Sequence, residues 1–261
     1  MILQGFKDGM LFRTFHHSKR PFFLIFVPLL KKGDLLLNMD SNLRTVTTAD
    51  GSVTLFLPDR DETYHSVHGA ETESMHVFIK NGLEVAANDK AKLKVLEIGF
   101  GTGLNALLAL LFAEQNQIAI EFVSTEKYPL KKEMVLQLNY GKRLLADELF
   151  MQLHTCSWNE VHPLNAHFSL FKHEGDFREA NLDANSYDVI FFDAFAPRVQ
   201  PELWTIEVFH QMYNLLNPGG MLVTYCAKGE VKRAMKAAGF NVERLPGPPG
   251  KREMTRARKA E

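Results

Sequence analysis

Cysteine is nearly missing from this chain. Cys156 and Cys226 are its only two, far apart and in no Cys-x-x-Cys spacing. That excludes a disulfide framework and a cysteine-rich zinc site, and it suits a reducing cytoplasm. His65, His68 and His76 are scattered through a polar stretch without second-ligand spacing, so no metal is expected and one of them is expected near a pocket. Charge of one sign is lacking as well: the formal net charge is −1. Residues 1–38 hold six basic and two acidic residues, and the remainder 24 and 29. A surface for nucleic acid must therefore be a local patch. The one conspicuous apolar run, Phe22–Leu30, has nine residues, too few to span a bilayer. It is followed by Lys31-Lys32-Gly33-Asp34, where a signal peptide would place small residues for cleavage. There is neither an internal repeat nor a low-complexity tract.

At 261 residues, 46% hydrophobic and 23% charged, the chain has the composition of one large globular domain with room for an appendage. Met39 opens a stretch that patterns well, so residues 1–38 are expected to be a poorly ordered upstream extension. A natural protein whose mass includes residues before Met39 would refute that expectation. Residues 39–90 are expected to form a small N-terminal lobe. In it, Arg44–Leu57 reads as a β-hairpin turning at Asp50-Gly51.

From residue 91 onward short apolar runs alternate with helical patterns. Strands are expected at Leu93–Ile98, Ile118–Thr125, Phe168–His173, Tyr187–Asp193 and Met221–Ala227. Helices are expected near Leu104–Glu114, Lys131–Tyr140, Leu203–Leu216 and Glu230–Ala238. Continuous apolar strands separated by helices indicate an α/β fold with a Rossmann-like parallel sheet covered on both faces. Asn241–Leu245 and Arg252–Lys259, joined across Pro246–Gly250, should close it with a C-terminal antiparallel hairpin.

The sharpest local signal is Glu97-Ile98-Gly99-Phe100-Gly101-Thr102-Gly103, between a strand and an apolar helix. Glycines in two-residue steps let a ligand approach the backbone, and the helix start offers free N–H groups. The spacing is Gly-x-Gly-x-Gly with an upstream acid, unlike the Gly-x-Gly-x-x-Gly of dinucleotide enzymes. It resembles the first motif of class I methyltransferases, whose loop wraps the methionine end of S-adenosylmethionine. Glu126 ends the second core strand, where a carboxylate accepts ribose hydroxyls in either class. Asp176 and Phe177 follow the third strand, where this fold contacts adenine. Asp193 ends the fourth, where open parallel sheets bind ligands.

Three longer stretches are more specific: Phe122-Val123-Ser124-Thr125-Glu126-Lys127-Tyr128-Pro129-Leu130; Asp193-Ala194-Phe195-Ala196-Pro197 with Pro201-Glu202-Leu203-Trp204; and Gly250-Lys251-Arg252-Glu253-Met254. Together with Asp61-Glu62-Thr63-Tyr64-His65-Ser66, Gly69, Glu73 and His76-Val77-Phe78, they resemble the tRNA 5-aminomethyl-2-thiouridine methyltransferase family over roughly residues 44–258. Members occur alone or as the N-terminal half of a bifunctional wobble-uridine modifier, whose other half is an FAD-dependent oxidoreductase. The resemblance implies N-methylation of 5-aminomethyl(-2-thio)uridine in the tRNA anticodon loop, with S-adenosylmethionine as donor and a separate oxidoreductase as pathway partner. It implies cofactor contacts from Glu97, Gly99, Phe100, Gly101, Thr102, Gly103, Glu126, Lys127, Asp176, Phe177 and Asp193. Asp193 is the expected catalytic group, with Tyr64 and Phe195 walling the pocket. Arg198, Lys251, Arg252, Arg256, Arg258 and Lys259 are the expected RNA contacts.

A cytosine-C5 methyltransferase is excluded because residues 193–197 contain no cysteine nucleophile. A methyltransferase of small amines or proteins, a polyamine-synthase relative, and a non-catalytic nucleoside- or RNA-binding module remain as alternatives.

Overall fold

The computed structural model describes residues 3–7, 10–14, 42–88 and 90–261. The Phe22–Leu30 run and Met39 lie outside them. The chain divides into two units, Met1–Asn42 and Leu43–Glu261. Within the first, β1 (Leu3–Lys7) pairs antiparallel with β2 (Met10–Thr14).

The second unit begins with the hairpin expected from Asp50-Gly51. Strands β3 (Arg44–Thr47) and β4 (Val53–Leu57) pair antiparallel, and β5 (Glu62–Thr63) joins β4. Gly51 has φ +83°, a left-handed value that glycine adopts freely. Asp50 locks the turn by accepting hydrogen bonds from Thr48, Ser52 and Thr72. Helical turns follow at Ala70–Ser74, Met75–Leu83 and Glu84–Ala86. The middle nine residues wind as a π-helix, a form that occurs mostly in short pieces at functional sites.

The main sheet has eight strands: β6 (Lys92–Ile98), β7 (Ala119–Glu126), β8 (Val161–Pro163), β9 (Phe168–Glu174), β10 (Tyr187–Phe192), β11 (Leu216–Thr224), β12 (Asn241–Pro246) and β13 (Glu253–Arg258). Their spatial order is β12-β13-β11-β10-β6-β7-β9-β8. The run from β9 through β7, β6 and β10 to β11 is parallel, while β8, β13 and β12 pair antiparallel. Each expected strand is present within a few residues. Residues 217–220 make an irregularity within β11, since Tyr187 pairs with Leu216 and Val189 already with Met221.

Strand alternation explains the two-layered core. Val189 and Phe191 of β10 face one cluster with the helices Met75–Leu83 and Leu104–Asn116. Ile190 and Phe192 face the other, with Val208, Phe209 and Met212 of the helix Ile206–Leu215 and with Val231 and Met235 of Gly229–Ala237. The helix Leu104–Asn116 is apolar nearly all round because it is buried nearly all round. The helix expected at Lys131–Tyr140 is broken instead into Lys132–Val135 and Tyr140–Arg143, with a further helix at Asp147–Thr155.

The π-wound segment lies tight against the sheet because residue 82 is glycine. A Cβ there would sit 2.8 Å from Val223 Cγ2 and 3.3 Å from Phe191 Cε1. Gly82→Ala is expected to cost about 1–3 kcal/mol through overpacking, read as a lower urea midpoint with unchanged m-value.

Candidate active site

Parallel strands end at a common edge, so the loops after β6, β7, β9 and β10 converge there. The loop after β6 is built from Gly99 (φ +96°), Gly101 (φ +48°) and Gly103 (φ +72°). A Cβ on Gly99 would stand 2.8 Å from the Asp193 carbonyl oxygen, and one on Gly101 3.2 Å from the Tyr64 ring. Glu126, ending β7, accepts hydrogen bonds from the Gly101 N–H at 3.0 Å and the Tyr128 N–H at 2.9 Å. Thr102 is held from two sides: His65 Nε2 lies 2.8 Å from its hydroxyl and His154 Nε2 3.1 Å from its carbonyl. His65 is thus the histidine of the three that reaches the site. Burial holds its pKa down to about 4, so it is a neutral positioning group.

Asp193 follows β10, and its Oδ2 accepts from Asn105 Nδ2 at 2.8 Å. Enclosure by protein pushes its pKa up to about 7, with Glu73 adding to the rise while Asn105 and Lys251 oppose it. Glu97, on β6, is fully buried; its Oε2 accepts from the Ser124 hydroxyl at 2.6 Å. Burial lifts its pKa well above the usual carboxyl range. Among the described residues, Glu97 Oε1 and Asn105 Oδ1 are buried polar atoms without a hydrogen-bond partner.

Beside Asp193, Tyr64 and Phe195 meet edge to face, with centroids 5.0 Å apart. Trp204 Nε1 donates to the Phe195 carbonyl, and the Tyr225 hydroxyl donates to that of Ala194, both at 2.9 Å. A cleft of about 530 Å³ opens next to them, lined by Pro197, Tyr225, Lys228, Lys251 and Arg252 among others.

Several expected contacts are placed otherwise. Phe177 is 5% exposed and packs into the core with Leu96 and Ile98, so its ring is not offered to a ligand. Asp176 is gripped by Arg178 and Lys127, foremost Arg178, which holds its carboxyl below the ordinary range. The expected basic tail is a strand inside the sheet. Arg256 and Arg258, two residues apart and so on one face, both bind Glu243. Lys259 bonds the Leu216 carbonyl and Asn185. Arg198 donates to the Arg60 and Asp61 carbonyls, and Lys251 pairs with Glu73. Among the described residues, Arg252 alone of these cations is exposed at the cleft with no side-chain hydrogen bond or ion pair, while its carbonyl accepts from the Gly247 N–H at 3.2 Å. Asn105, Glu73 and Tyr225 escaped the sequence reading as site groups. The signal for Asn105 was there, as the polar residue in the first turn of an otherwise apolar helix.

Residues 145–260 match the model of a family described as S-adenosyl-L-methionine-dependent methyltransferase. Among solved structures, MNMC2 from Aquifex aeolicus is 28% identical with a TM-score of 0.70, covering 84% of this chain and 71% of that one. The fold is that of the class I methyltransferases, and residues 145–260 are similar to the S-adenosyl-L-methionine-dependent methyltransferase family. Among curated proteins, the chain is 34% identical over 216 residues to the tRNA 5-methylaminomethyl-2-thiouridine biosynthesis bifunctional protein MnmC of Cupriavidus necator, covering 77% of this chain and 32% of that protein. It is 32% identical over 208 residues to the protein of the same name from Marinomonas sp., covering 75% and 31%. The resemblance read from the motifs is borne out by these relatives, and the chain spans about a third of their length.

The site fits the methyl donor on its own features. The glycine cradle and the strand-end Glu126 supply a close backbone approach and a carboxylate at its edge for a charged nucleoside. Bound there, S-adenosylmethionine supplies an electrophilic methyl group.

Asp193 ties stability to acidity. Its folded pKa of about 7 exceeds the ordinary value, so the folded state binds this proton more tightly than the unfolded chain. The associated stabilisation is complete below about pH 4 and lost as pH rises through about 7. Asp193→Asn is expected to raise the melting temperature at pH 8 by about 3 °C or more. The same change should lower kcat by about 100-fold or more. Thermal scans at pH 5 and 8 beside turnover assays check both directions.

Proposed function

We propose that this chain transfers a methyl group from S-adenosylmethionine to the primary amine of 5-aminomethyl(-2-thio)uridine at the wobble position of tRNA, giving 5-methylaminomethyl(-2-thio)uridine. The supporting observation is Asp193: a strand-end carboxylate with a pKa near 7, beside the donor loop and an aromatic-walled cleft, in a chain related to proteins named for this nucleoside's biosynthesis.

An alkylamine has a pKa of about 10 and is mostly protonated at neutral pH, which leaves no lone pair for attack. Asp193 accepts its proton better than an ordinary carboxylate would, and Asn105 fixes the direction of Oδ2. Tyr64 and Phe195 receive the uracil ring as it leaves the anticodon stack, a step that is cheap in a single-stranded loop. Glu97, Gly99, Phe100, Gly101, Thr102, Gly103 and Glu126 hold the donor, and Lys127 and Asp176 flank its adenosine side. Arg252, with Lys228 beside it at the cleft mouth, contacts tRNA phosphate, while Arg198, Arg256 and Arg258 brace the protein around it. Residues 39–90 serve as a lobe capping the methyltransferase domain 91–261, with residues 1–38 an extension ahead of it. The reaction takes place in the cytoplasm; no helix among the described residues is long and apolar enough to cross a membrane. A separate FAD-dependent oxidoreductase serves the same pathway by delivering the free aminomethyl group.

Labelled S-adenosylmethionine and tRNA from cells lacking this methylation are expected to yield labelled 5-methylaminomethyluridine on nucleoside analysis. Label in small amines or protein, with none in tRNA, would replace the proposed substrate. Arg252→Glu should weaken tRNA binding and reduce the slope of log K against log salt by about 1.

A further inference from the structure

Glu73 carries a carboxylate into the interior beside the cleft, and neither the donor loop nor Asp193 uses it. The side chain is 7% exposed. Its Oε1 accepts only a long 3.4 Å bond from the Ser66 N–H. Oε2 is buried without a hydrogen bond of proper geometry, yet Lys251 Nζ stands 2.6 Å from it. The same Nζ lies 4.1 Å from the centroid of the Tyr225 ring. A buried carboxylate beside an aromatic face is what recognises an ammonium group. Lys251 supplies that ammonium from a turn, between β12 and β13, that also lines the cleft. Tyr225 and Lys251 line the same cleft, and the Tyr225 hydroxyl donates to the carbonyl of Ala194, the residue after Asp193.

The Lys251 terminus is a primary alkylammonium, the same group that a 5-aminomethyl pyrimidine carries. We infer that Glu73 and the face of Tyr225 form the subsite for the substrate's ammonium, and that Lys251 is a built-in occupant which the substrate displaces. The inference rests on the methyltransferase reading above and names the contact that selects an amine. The exchange itself is neutral in charge: one ammonium leaves as another arrives, so Glu73 keeps a counter-ion while the two change places. Lys251, 30% exposed already, turns outward into solvent. The bound ammonium then passes one proton to the Asp193 carboxylate, leaving a neutral amine and a neutral carboxylic acid.

Two measurements on the full chain test this. The first is the melting-temperature shift produced by ethylammonium chloride, against a sodium chloride control, in the wild type and in Lys251→Met. With the resident cation removed, ethylammonium is expected to stabilise the variant at concentrations about tenfold lower than the wild type requires. The second is methyl transfer to tRNA bearing 5-aminomethyl-2-thiouridine. Lys251→Met should lower KM, and Glu73→Gln should raise it about tenfold or more while S-adenosylmethionine binding is unchanged. Glu73→Asp should recover part of the loss. A higher KM in Lys251→Met would make Lys251 a tRNA contact and overturn the inference. So would ethylammonium shifts equal in both proteins, or Glu73→Gln with wild-type KM. Absence of methyl transfer by the wild type would instead fail the substrate reading, while the ethylammonium shifts still decide the subsite.

Discussion

The close approach of Gly99 to the Asp193 carbonyl oxygen is the constraint on which the site depends. It locks the loop after β6 to the loop after β10, reinforced by the 3.1 Å hydrogen bond from the Asp193 N–H to the Ile98 carbonyl. Any side chain at residue 99 would collide with backbone, which cannot yield as the tip of a flexible side chain can. With that distance fixed, the first turn of the helix Leu104–Asn116 delivers Asn105 to Asp193, and the next loop delivers Glu126 to Gly101. Two adjacent parallel strands thus supply the glycine loop and the carboxylate that the proposed function uses.

The protein assembles polar chemistry at the end of a sheet whose central strand β10 is apolar from Val189 to Phe192. Glu97 and Asp193 both have their pKa raised by this surrounding, and burial is the leading cause for each. They differ in access. Glu97 is sealed within the sheet, whereas Asp193 keeps some exposure at the sheet's end. His65 and His154, both kept neutral by burial, hold Thr102 without adding charge to the glycine loop.

Much of this was legible in the sequence because buried parallel strands are written as continuous apolar runs, with acids standing out at their ends. Glu97, Glu126 and Asp193 could be placed that way. The helices between residues 131 and 155 were less legible. Leu145 takes φ +54° and is 94% exposed, so the chain breaks at a leucine where glycine or proline would have announced it. The basic residues near the C-terminus misled for a different reason. Glu243 stands directly opposite Arg256 in the β12–β13 register, and cross-strand neutralisation is visible only once the pairing is known. Phe177, expected at the adenine, turns its side chain inward against Leu96 and Ile98. Glu73 gave no signal in composition or periodicity, since its partner is 178 positions away.

The placement of β13 between β11 and β12 has a consequence for synthesis. While a nascent chain has emerged only to residue 240, β11 has no neighbour on that side, and the backbone groups of Met221 to Thr224 stand open beside apolar side chains. Such an edge invites pairing with other chains. On the ribosome, therefore, the sheet can be sealed only after the hairpin of β12 and β13 has cleared the exit tunnel, and truncations before residue 253 are the ones for which chaperone capture matters most.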